Sequence, residues 1–528
     1  MHAQPMIPRP VSDIPSTGVW LPTAHPFTVA ASDFAPYCLE AFFERQGAKA
    51  SAQPDNADIT AIRNACLPKE GYRLSIRPTG AIIEAGDESG VIHALTSLYL
   101  LLAHWKGKAM PCRDIEDMPR YSHRGLSLDC VRHFFDADEV MRLIESMSLC
   151  KLNVLHWHLT DDQGWRIEFK RHPEIAEQPG NPFYTQEQIR RVISHARARG
   201  IEVIPEIELP GHTRGLLVAH PELSCTGEAV DYATQGGIHD IILCPGREET
   251  FDLVEDILDE MAELFDSPRI HIGGDEAPKT RWAACPRCKA RMEREGLDDL
   301  EQLQGYFTNR VTAMLEGIGR TPICWNESLE ASNLKPGATI QFWTPSHQDP
   351  VRTHMEHGGR LIFSDMFDLY LDYPASMTPM RRIHGVRPVI DGVDYSSHPN
   401  LDGMEAAIWC EHIDDDSALE RRLFPRLFAF AENAWSSPGD YDAFLVRLPD
   451  MFAQLDRLGI AHLDAVQADP EGEARQQETF AYMAQLSSNL AEGTAEASNP
   501  NEAFQHAFMT KFFHPEDLPL LAGMAGGR

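Results

Sequence analysis

The sequence predicts an α/β protein whose main part is a (β/α)8 barrel, with a small α/β domain before it and a helical appendage after it. The first observation is that residues 119–462 alternate eight short apolar segments with amphipathic helical patterns. Eight strands that alternate with helices are typical of a closed parallel barrel. The second observation is that residues 71–105 carry two alternating strand patterns followed by a helical one. A doubly wound open sheet stays an alternative, because alternation alone does not prove closure.

Residues 1–118 are predicted to form the small α/β domain. The segments 71–80 and 81–90 read as two alternating strands with a Pro-x-Gly turn between them. Residues 90–105 have helical spacing and include the longest apolar run, which is too short to span a bilayer. We interpret residues 111–119, which begin and end with proline, as a linker to the barrel.

The barrel region supplies its strands and helices as separate patterns. Thr185, with Glu187 and Gln188 after it, is a plausible helix start, and Gly200 is a plausible stop. The helical patterns cover 138–150, 185–199 and 248–265, and the strand candidates are 125–129, 152–159, 202–207, 269–274, 321–325, 338–343, 360–365 and 404–411.

Residues 463–528 are polar and rich in small side chains, apart from one short apolar helical segment. We predict a helical appendage that is partly flexible, and the sequence assigns it no function.

Composition restricts the possible partners. The 47 Lys and Arg residues against 79 Asp and Glu residues give a formal charge of -32. Nucleic acids and anionic membrane surfaces require basic patches, so neither is expected as a partner. The first 30 residues lack a basic start followed by an apolar core, and the 11 cysteines are dispersed. Both features favour reduced thiols and a cytoplasmic location.

One cysteine pair has the spacing of a metal or redox motif. Cys285-x-x-Cys288 is half of a zinc ribbon, but no second pair and no matching histidine pair is visible nearby. We therefore expect neither a metal nor a cofactor.

Polar and aromatic residues follow the predicted strands at the carboxyl end of the barrel, where barrel enzymes have their active sites. Indole faces stack on the C–H faces of a sugar ring, and charged groups bind its hydroxyls. A carboxylate pair at the end of one strand can supply acid and base, which suggests glycoside hydrolysis. The residues at this rim are Arg132, Asp161, His212, Asp275, Glu276, Trp325, Trp343, Tyr370, Asp372, Trp409 and Glu411.

The motif HIGGDE at 271–276 resembles the signature of family 20 glycoside hydrolases, the β-N-acetylhexosaminidases. The segment 71–102 also resembles the small domain that precedes the barrel in this family. Further matching stretches follow in family order, at 124–134, 153–168, 203–213, 323–327, 370–372 and 403–411.

This resemblance implies a mechanism and roles for individual residues. Glu276 matches the general acid/base, and Asp275 matches the residue that orients the 2-acetamido group of the substrate. That group would itself attack the anomeric carbon and form an oxazolinium ion. Tyr370 would donate a hydrogen bond to the acetamido oxygen, and Asp161 with His212 would support Glu276.

The remaining matched residues would hold the terminal sugar, which implies exo-action on non-reducing ends. Trp325, Trp343 and Trp409 would enclose the ring and the acetamido methyl group. Arg132, Asp372 and Glu411 would bind its hydroxyls. The expected partner is a small oligosaccharide, a chito-oligosaccharide or a glycan, that ends in N-acetylglucosamine or N-acetylgalactosamine.

Several residues have structural alternatives to these roles. Arg124 precedes its strand, so we expect it to be structural. His156 and His158 face one side of the second strand and are expected to be neutral core histidines. For Glu206 and Glu208, a structural role is an interpretation at least as good as a role in the site.

Two rival functions are also open. One is a catalytically inactive sugar-binding barrel, which would not need an intact Asp275–Glu276 pair. The other is a metal-dependent hydrolase built on His158, Asp161 and His212.

Overall fold

The computed structural model describes residues 5–22, 26–53, 56–437, 439–490 and 502–517. The predicted flexible parts of the appendage lie within 491–501 and 518–528, outside the described residues. Within the part that is described, the chain forms a seven-stranded sheet, a closed eight-stranded barrel and two C-terminal helices.

The N-terminal domain is a mixed sheet covered by the helix that the sequence predicts. The two predicted strands form an antiparallel hairpin, in which Arg77 pairs with Gly80 across the turn. The elements are β1 (Ser12–Trp20), β2 (Thr28–Ala30), α1 (Glu40–Gln46), β3 (Lys49–Ala50), β4 (Ile59–Arg63), β5 (Tyr72–Arg77), β6 (Gly80–Ala85), α2 (Glu88–Trp105) and β7 (Met110–Asp117). The strand order in the sheet is β1-β7-β5-β6-β4-β2-β3.

The predicted linker at 111–119 is wrong, because most of it forms strand β7, which lies between β1 and β5. The proline that suggested a linker is tolerated, since Pro111 pairs only with Val19 of β1 and lies before the part that β5 pairs. Ile115 of β7 is buried in the core, and Arg113 forms an ion pair with Asp13.

The barrel is closed by eight parallel strands, one for each predicted segment, so the expectation of a (β/α)8 barrel is confirmed. Its strands are β8 (His123–Asp129), β9 (Val154–His158), β12 (Glu202–Glu206), β13 (Arg269–His271), β14 (Thr321–Trp325), β15 (Thr339–Phe342), β16 (Leu361–Phe363) and β19 (Leu401–Ile408). The shorter strands outside the barrel are β10 (Thr160–Asp161), β11 (Gly164–Trp165), β17 (Val389–Ile390) and β18 (Val393–Asp394).

The helices around the barrel include the three predicted ones. The Thr185 side chain caps its helix in a capping box with Gln188, as the sequence suggests. The helices are α3 (Ala137–Leu149), α4 (Pro173–Ala176), α5 (Gln186–Arg197), α6 (Arg214–Leu217), α7 (Glu248–Leu264), α8 (Thr280–Ala284), α9 (Pro286–Glu295), α10 (Leu300–Gly317), α11 (Gln348–Glu356), α12 (Met366–Leu369), α13 (Met380–His384), α14 (Asp416–Leu423), α15 (Arg426–Trp435), α16 (Tyr441–Leu445) and α17 (Leu448–Leu458).

A buried ion pair joins the N-terminal domain to the first barrel strand. Arg124, which is fully buried, donates to Glu70, and the imidazole of His93 lies 3.0 Å from the same carboxylate. Lys151 binds Asp117 at 2.7 Å across the same junction. Arg124 therefore has the structural role expected from its position before the strand.

The C-terminal helices α18 (Gly472–Leu490) and α19 (Glu502–Phe512) pack on the barrel beside its carboxyl end. Phe504 and Phe512 of α19 contact Phe367 edge to face, with centroids 5.2 and 5.1 Å from it. Tyr482 of α18 lies edge to face against Tyr373. None of the described helices is long and apolar enough to cross a membrane.

Candidate active site

The chain turns sharply after β13 and presents two adjacent carboxylates to the carboxyl end of the barrel. Gly273 and Gly274 adopt φ of 62° and 104°, and a Cβ atom at Gly273 would lie 1.8 Å from an oxygen of Glu208. Glycine is the residue that allows this backbone path. Glu276 itself has a φ of 44°, an uncommon conformation for a residue with a side chain. This irregular backbone path directs the side chains of Asp275 and Glu276 into a pocket.

The pocket has a volume of about 570 Å³ and lies at the carboxyl ends of the barrel strands. Every rim residue proposed from the sequence lines it, which brings together side chains that follow each of the eight strands. These residues are Arg132, Asp161, His212, Asp275, Glu276, Trp325, Trp343, Tyr370, Asp372, Trp409 and Glu411.

His212 connects Glu276 to a buried carboxylate. Its Nε2 atom lies 3.4 Å from Glu276 Oε2, and its Nδ1 atom lies 3.2 Å from Asp161 Oδ1. Burial alone would lower the pKa of His212, but the negative charge of Asp161 raises it well above its usual value. His212 is therefore a cation at neutral pH, and it can donate a hydrogen bond toward Glu276.

Asp275 is a carboxyl group poised between its two protonation states. Burial raises its pKa to about 7, and the nearby negative charge of Glu276 acts in the same direction, while the cationic His212 opposes both. Its Oδ1 atom is buried and accepts no hydrogen bond from any residue in the described ranges. A buried acceptor without a donor favours a ligand that brings one.

Arg132 is held in place from three sides. Its Nη2 atom lies 2.7 Å from Asp161 and 3.9 Å from Glu411, and its Nε atom donates to Gln163 at 3.0 Å. The guanidinium group also lies over the ring of Trp409, 5.4 Å from the centroid. These contacts fix the orientation of the planar guanidinium group of Arg132, whose N–H groups can donate to sugar hydroxyls.

Asp372 and Glu411 form a second acidic pair in the pocket. Burial raises the pKa of Asp372 to about 7, and the charge of Glu411 contributes. Burial also raises the pKa of Glu411, although the cationic Arg132 opposes this effect. The Oδ1 atom of Asp372 is buried and finds no donor within the described part of the chain.

Aromatic rings enclose the pocket. The Trp325 and Trp409 rings are 6.2 Å apart, the Tyr370 and Trp409 rings are 6.1 Å apart, and Trp343 stacks on Tyr370 with an interplanar angle of 12°. Trp325 is oriented by a hydrogen bond from its Nε1 atom to Glu206, 2.9 Å long. These rings form apolar walls around the charged groups of the pocket, and such surroundings strengthen electrostatic interactions.

A charged layer lies directly beneath the pocket. Glu206 is surrounded by the imidazoles of His156, His158 and His271, at 3.0, 2.5 and 2.7 Å, and it does not line the pocket. The sequence-based expectation that His156 and His158 are neutral is wrong. Burial would lower both pKa values, but Glu206 and its neighbours raise that of His156 to about 10 and that of His158 to about 9. Glu206 has a structural role here.

Glu208 and Glu327 extend the acidic surroundings of the carboxylate pair. Glu208 lines the pocket, and burial together with the charge of Asp275 raises its pKa well above the usual range. The Oε2 atom of Glu327 accepts a hydrogen bond of 3.2 Å from the backbone N–H of Glu276. Glu327 lies in a segment used for the family resemblance, yet its role as a positioning group was missed.

The same groups are close enough to be considered as metal ligands. Side-chain atoms of His158, Asp161 and Glu208 lie within 4.8 Å of one another, and so do those of Asp161, Asp162 and His212. However, Arg132 already pairs with the Asp161 oxygen that faces His158. A guanidinium cation in that position favours an ion-pair network over a metal site.

Other pocket residues were not found from the sequence because they come from loops and from the appendage. The loop between α6 and α7 contributes four of them, and Gln235 is anchored there by a hydrogen bond of 2.8 Å from Gln163. Tyr482 and Leu486 lie four residues apart, on one face of α18. This spacing is the one sequence signal that could have suggested a helix face directed at the pocket. The missed residues are Gln163, Thr234, Gln235, Gly236, Gly237, Tyr373, His412, Ile413, Tyr482 and Leu486.

A barrel pocket with aromatic walls, a fixed arginine and an adjacent carboxylate pair defines a glycoside hydrolase. The sequence model of the glycosyl hydrolase family 20 catalytic domain matches residues 121–438, and that of domain 2 of the same family matches residues 17–118. The chain therefore belongs to glycoside hydrolase family 20.

Individual relatives agree with this assignment. A β-hexosaminidase of Porphyromonas gingivalis is 32% identical over 77% of the chain, which spans 56% of that relative. The β-N-acetylhexosaminidase structure from Bacteroides fragilis superposes with a TM-score of 0.79 at 29% identity, covering 89% of this chain and 99% of that one. The exo-β-N-acetylglucosaminidase of Vibrio harveyi in complex with N-acetylglucosamine also has a TM-score of 0.79 at 29% identity, covering 88% and 79%.

The family resemblance noted in the sequence is thereby confirmed, as is the prediction of a glycoside hydrolase of the β-N-acetylhexosaminidase type. A small sugar is the class of substrate that these relatives support.

Proposed function

We propose that the protein is an exo-acting β-N-acetylhexosaminidase that removes terminal N-acetylglucosamine or N-acetylgalactosamine from chito-oligosaccharides or glycans. The observation that carries this proposal is the buried Oδ1 atom of Asp275, which lies beside Glu276 in the pocket and accepts no hydrogen bond from the residues that the structure describes. A 2-acetamido N–H is the donor that this buried oxygen lacks. Tyr370, one of the aromatic residues that line the pocket, can donate a hydrogen bond from its hydroxyl group to the acetamido oxygen.

The proposed reaction is retaining and uses the substrate as its own nucleophile. Glu276 protonates the glycosidic oxygen, the bond from that oxygen to the anomeric carbon breaks, and the acetamido oxygen bonds to the same carbon. The resulting oxazolinium ion carries a positive charge, which ionised Asp275 stabilises through the amide N–H. Glu276 then removes a proton from water, and the water oxygen attacks the anomeric carbon. The bond between this carbon and the acetamido oxygen breaks, which opens the oxazolinium ring.

His212 and the aromatic walls serve this sequence by positioning. The imidazolium group, fixed by Asp161, directs its Nε2–H toward Glu276 and stabilises the carboxylate that forms after proton transfer. Holding the acetamido oxygen near the anomeric carbon gives the intramolecular attack its advantage in effective concentration.

A group of charged residues in the pocket supports exo-action. Arg132 lies 3.9 Å from Glu411, and the buried Oδ1 atom of Asp372 accepts no hydrogen bond within the described residues. These groups would bind the hydroxyls of a terminal sugar, which favours a substrate that ends there.

Release of an aryl alcohol from aryl N-acetyl-β-glucosaminide tests the activity, and proton NMR during early turnover tests the stereochemistry. We expect the β anomer of the free sugar to appear first. Glu276→Gln should nearly abolish turnover, and Asp275→Asn should reduce kcat by orders of magnitude. Glu293→Gln, a change at an exposed glutamate, is the matched control and should leave the rate unchanged. A thiazoline analogue of the oxazolinium ion should inhibit strongly, and weak inhibition would count against substrate assistance.

Two other outcomes would support the rival functions. Sugar binding without turnover by the unaltered protein would favour an inactive sugar-binding barrel. Loss of turnover that follows metal removal from the pocket carboxylates would favour a metal-dependent hydrolase, and full activity in excess chelator would exclude it.

A cytoplasmic location is part of the proposal. The 11 cysteines are all free in the structure and most are buried, as expected for a protein that keeps its thiols reduced.

A further inference from the structure

Four cysteines that are far apart in the sequence meet at one point outside the sugar pocket. Their sulfur atoms all lie within 4.8 Å of one another, and three of the separations are 3.5, 3.7 and 3.9 Å. We call this group the cysteine cluster, and it consists of Cys225, Cys244, Cys285 and Cys288.

The separations fit a shared metal ion and do not fit disulfides. A disulfide bond requires sulfur atoms about 2.05 Å apart, which is much shorter than any of these contacts. Four thiolates bound tetrahedrally to zinc at about 2.3 Å lie about 3.8 Å from one another. The separations of 3.5, 3.7 and 3.9 Å fall on both sides of that value.

The three chain segments that supply the sulfurs are held together independently of them. The backbone N–H of Cys244 donates to the carbonyl of Leu223 at 2.9 Å, which joins the first two segments. Trp282 Nε1 donates to the carbonyl of Leu243 at 2.9 Å, which joins the second to the third. The cluster geometry therefore follows from the fold, and it does not depend on the sulfur contacts.

The surroundings of the cluster suit thiolates. Cys244, Cys285 and Cys288 are buried among apolar side chains, and Cys225 is half-buried. The cap residue of helix α9 is Cys285, so the positive end of the helix dipole faces the sulfurs. The backbone N–H of Gly246 donates to the Cys244 sulfur.

A nearby cation fits a negatively charged centre. Arg287 donates to the backbone carbonyl of Cys225 at 3.0 Å, which brings a guanidinium cation to the edge of the cluster. Gly246 packs so closely on the start of α9 that a Cβ atom there would lie 2.6 Å from the backbone nitrogen of Cys288.

We propose that the cysteine cluster binds one structural zinc ion with tetrahedral four-sulfur coordination. Four protein ligands leave no open position for water, so this ion would stabilise structure and take no part in hydrolysis. Binding releases to solvent the protons of those thiols that are not already ionised, and no electron is transferred. The sequence-based expectation of no metal at the Cys285-x-x-Cys288 pair rested on that pair alone, because the other two ligands are distant in sequence.

The ion would fasten the loop that forms one wall of the sugar pocket. Residues 226–243 run between two of the ligands, and Thr234, Gln235, Gly236 and Gly237 at its tip line the pocket. The other two ligands begin α9, shortly after Glu276 in the chain. A single ion at the base of both segments would restrict their motion relative to each other.

The first experiment measures metal content in the full-length protein, purified under reducing conditions without added metal and without a metal-affinity step. Elemental analysis should find one zinc ion per chain. Cys288→Ser should lose most of that zinc, whereas Cys66→Ser, a change at an exposed cysteine outside the cluster, should keep all of it. Zinc that persists undiminished in Cys288→Ser would overturn the proposal.

A second measurement keeps the proposal falsifiable where a variant does not fold or the zinc has been lost. Cobalt(II) added to the reduced, metal-free wild-type protein should give the intense visible bands and sulfur-to-cobalt charge-transfer absorption of a four-thiolate site. Absence of these bands would overturn the proposal. Thiol titration of the denatured protein in chelator should find all 11 cysteines, and four fewer would show two disulfides in place of the metal site.

Removal of zinc from the wild-type protein should also lower its Tm by several degrees, and added zinc should restore the Tm. An unchanged Tm after verified zinc removal would overturn the structural role assigned to the ion. These readouts do not require turnover, so they are independent of the proposed glycosidase activity.

Discussion

The Nε2 atom of His212 lies 3.4 Å from the Oε2 atom of Glu276, so a cationic imidazole directly faces the proposed acid/base. The same Nε2 atom lies 3.9 Å from Oδ2 of Asp275. One positive charge thus acts on both carboxylates of the motif. The other ring nitrogen, Nδ1, pairs with Asp161, which fixes the orientation of the imidazole. This arrangement links the pH dependence of the reaction to a single histidine.

We predict that His212→Asn moves the acidic limb of the kcat/KM profile to higher pH. Burial raises the pKa of Asp275 to about 7, and the His212 cation opposes that rise. Without the cation the pKa of Asp275 rises further, so the ionised form that accepts the acetamido N–H is lost at a higher pH. The expected displacement is on the order of one pH unit, equivalent to about 1.4 kcal/mol. Asparagine is chosen because it tolerates the φ of 49° at this position.

The control for this variant is His220→Asn, which changes a histidine that pairs with Glu174 and Glu222 and does not line the pocket. Its pH profile should match that of the unaltered protein. An acidic limb that stays in place in His212→Asn, while kcat falls, would show that His212 does not act on Asp275 electrostatically.

The appendage should contribute to substrate binding through Tyr482, which lines the pocket from α18. We predict that Tyr482→Ala raises KM several-fold, and to the same extent for a chito-oligosaccharide and for a small aryl glycoside. The reason is that Tyr482 packs edge to face on Tyr373 and on His412, the sequence neighbours of Asp372 and Glu411, so its loss acts on the terminal sugar that both substrates share. Steady-state kinetics with both substrates compare the two changes.

Gln477→Ala changes an exposed residue of the same helix and should leave both KM values unchanged. An increase in KM for the chito-oligosaccharide alone would contradict the prediction, because it would place the effect of Tyr482 on a second sugar unit.

The junction between the domains should be sensitive to the loss of one charge. Glu70 is 3% exposed and is the carboxylate partner of both Arg124 and His93. Glu70→Gln leaves the fully buried Arg124 without a counter-charge, which typically costs about 3–5 kcal/mol. We predict a reduction of that size in the free energy of unfolding, measured with urea. Glu84→Gln, at a half-buried strand position whose side chain accepts a hydrogen bond from Asn64, is the comparison and should cost less than about 1 kcal/mol.

The parts of this structure that the sequence predicts are those with local or repeating signals. Strands give short apolar segments, and the barrel fold places whatever follows each strand on one rim, which is why Arg132 and Glu411 could be assigned to the same pocket. Tyr482 and the loop tip at 234–237 could not, because their approach to the pocket depends on packing between distant segments. The cysteine cluster was missed for the same reason. The segment 111–119, most of which forms strand β7, reads as a linker in the sequence because a proline stands at each of its ends.

The charged layer beneath the pocket should make stability depend on alkaline pH. His156 lies 3.0 Å from Glu206 and 2.8 Å from Glu405, and its ring stacks on that of His271. Burial would lower its pKa, but the two carboxylates raise it to about 10 in the folded protein, above its ordinary value of about 6.5. The folded state therefore binds a proton more tightly than the unfolded state, and this contribution is fully present below pH of about 6.5.

It follows that the free energy of unfolding should fall as the pH rises from about 6.5 to about 10, as the stabilising proton is lost from His156. We predict that His156→Gln is less stable at neutral pH, because Glu206 and Glu405 lose a cation. Across the same pH window, the free energy of unfolding should decrease less for His156→Gln than for the unaltered protein. The difference between the two decreases should be at least about 1.4 kcal/mol, the equivalent of one pKa unit. Urea unfolding at a series of pH values measures both slopes, with the exposed His357→Gln as the control. Parallel slopes for His156→Gln and the unaltered protein would show that His156 is neutral in the folded state, since a neutral imidazole has no proton to lose in this window.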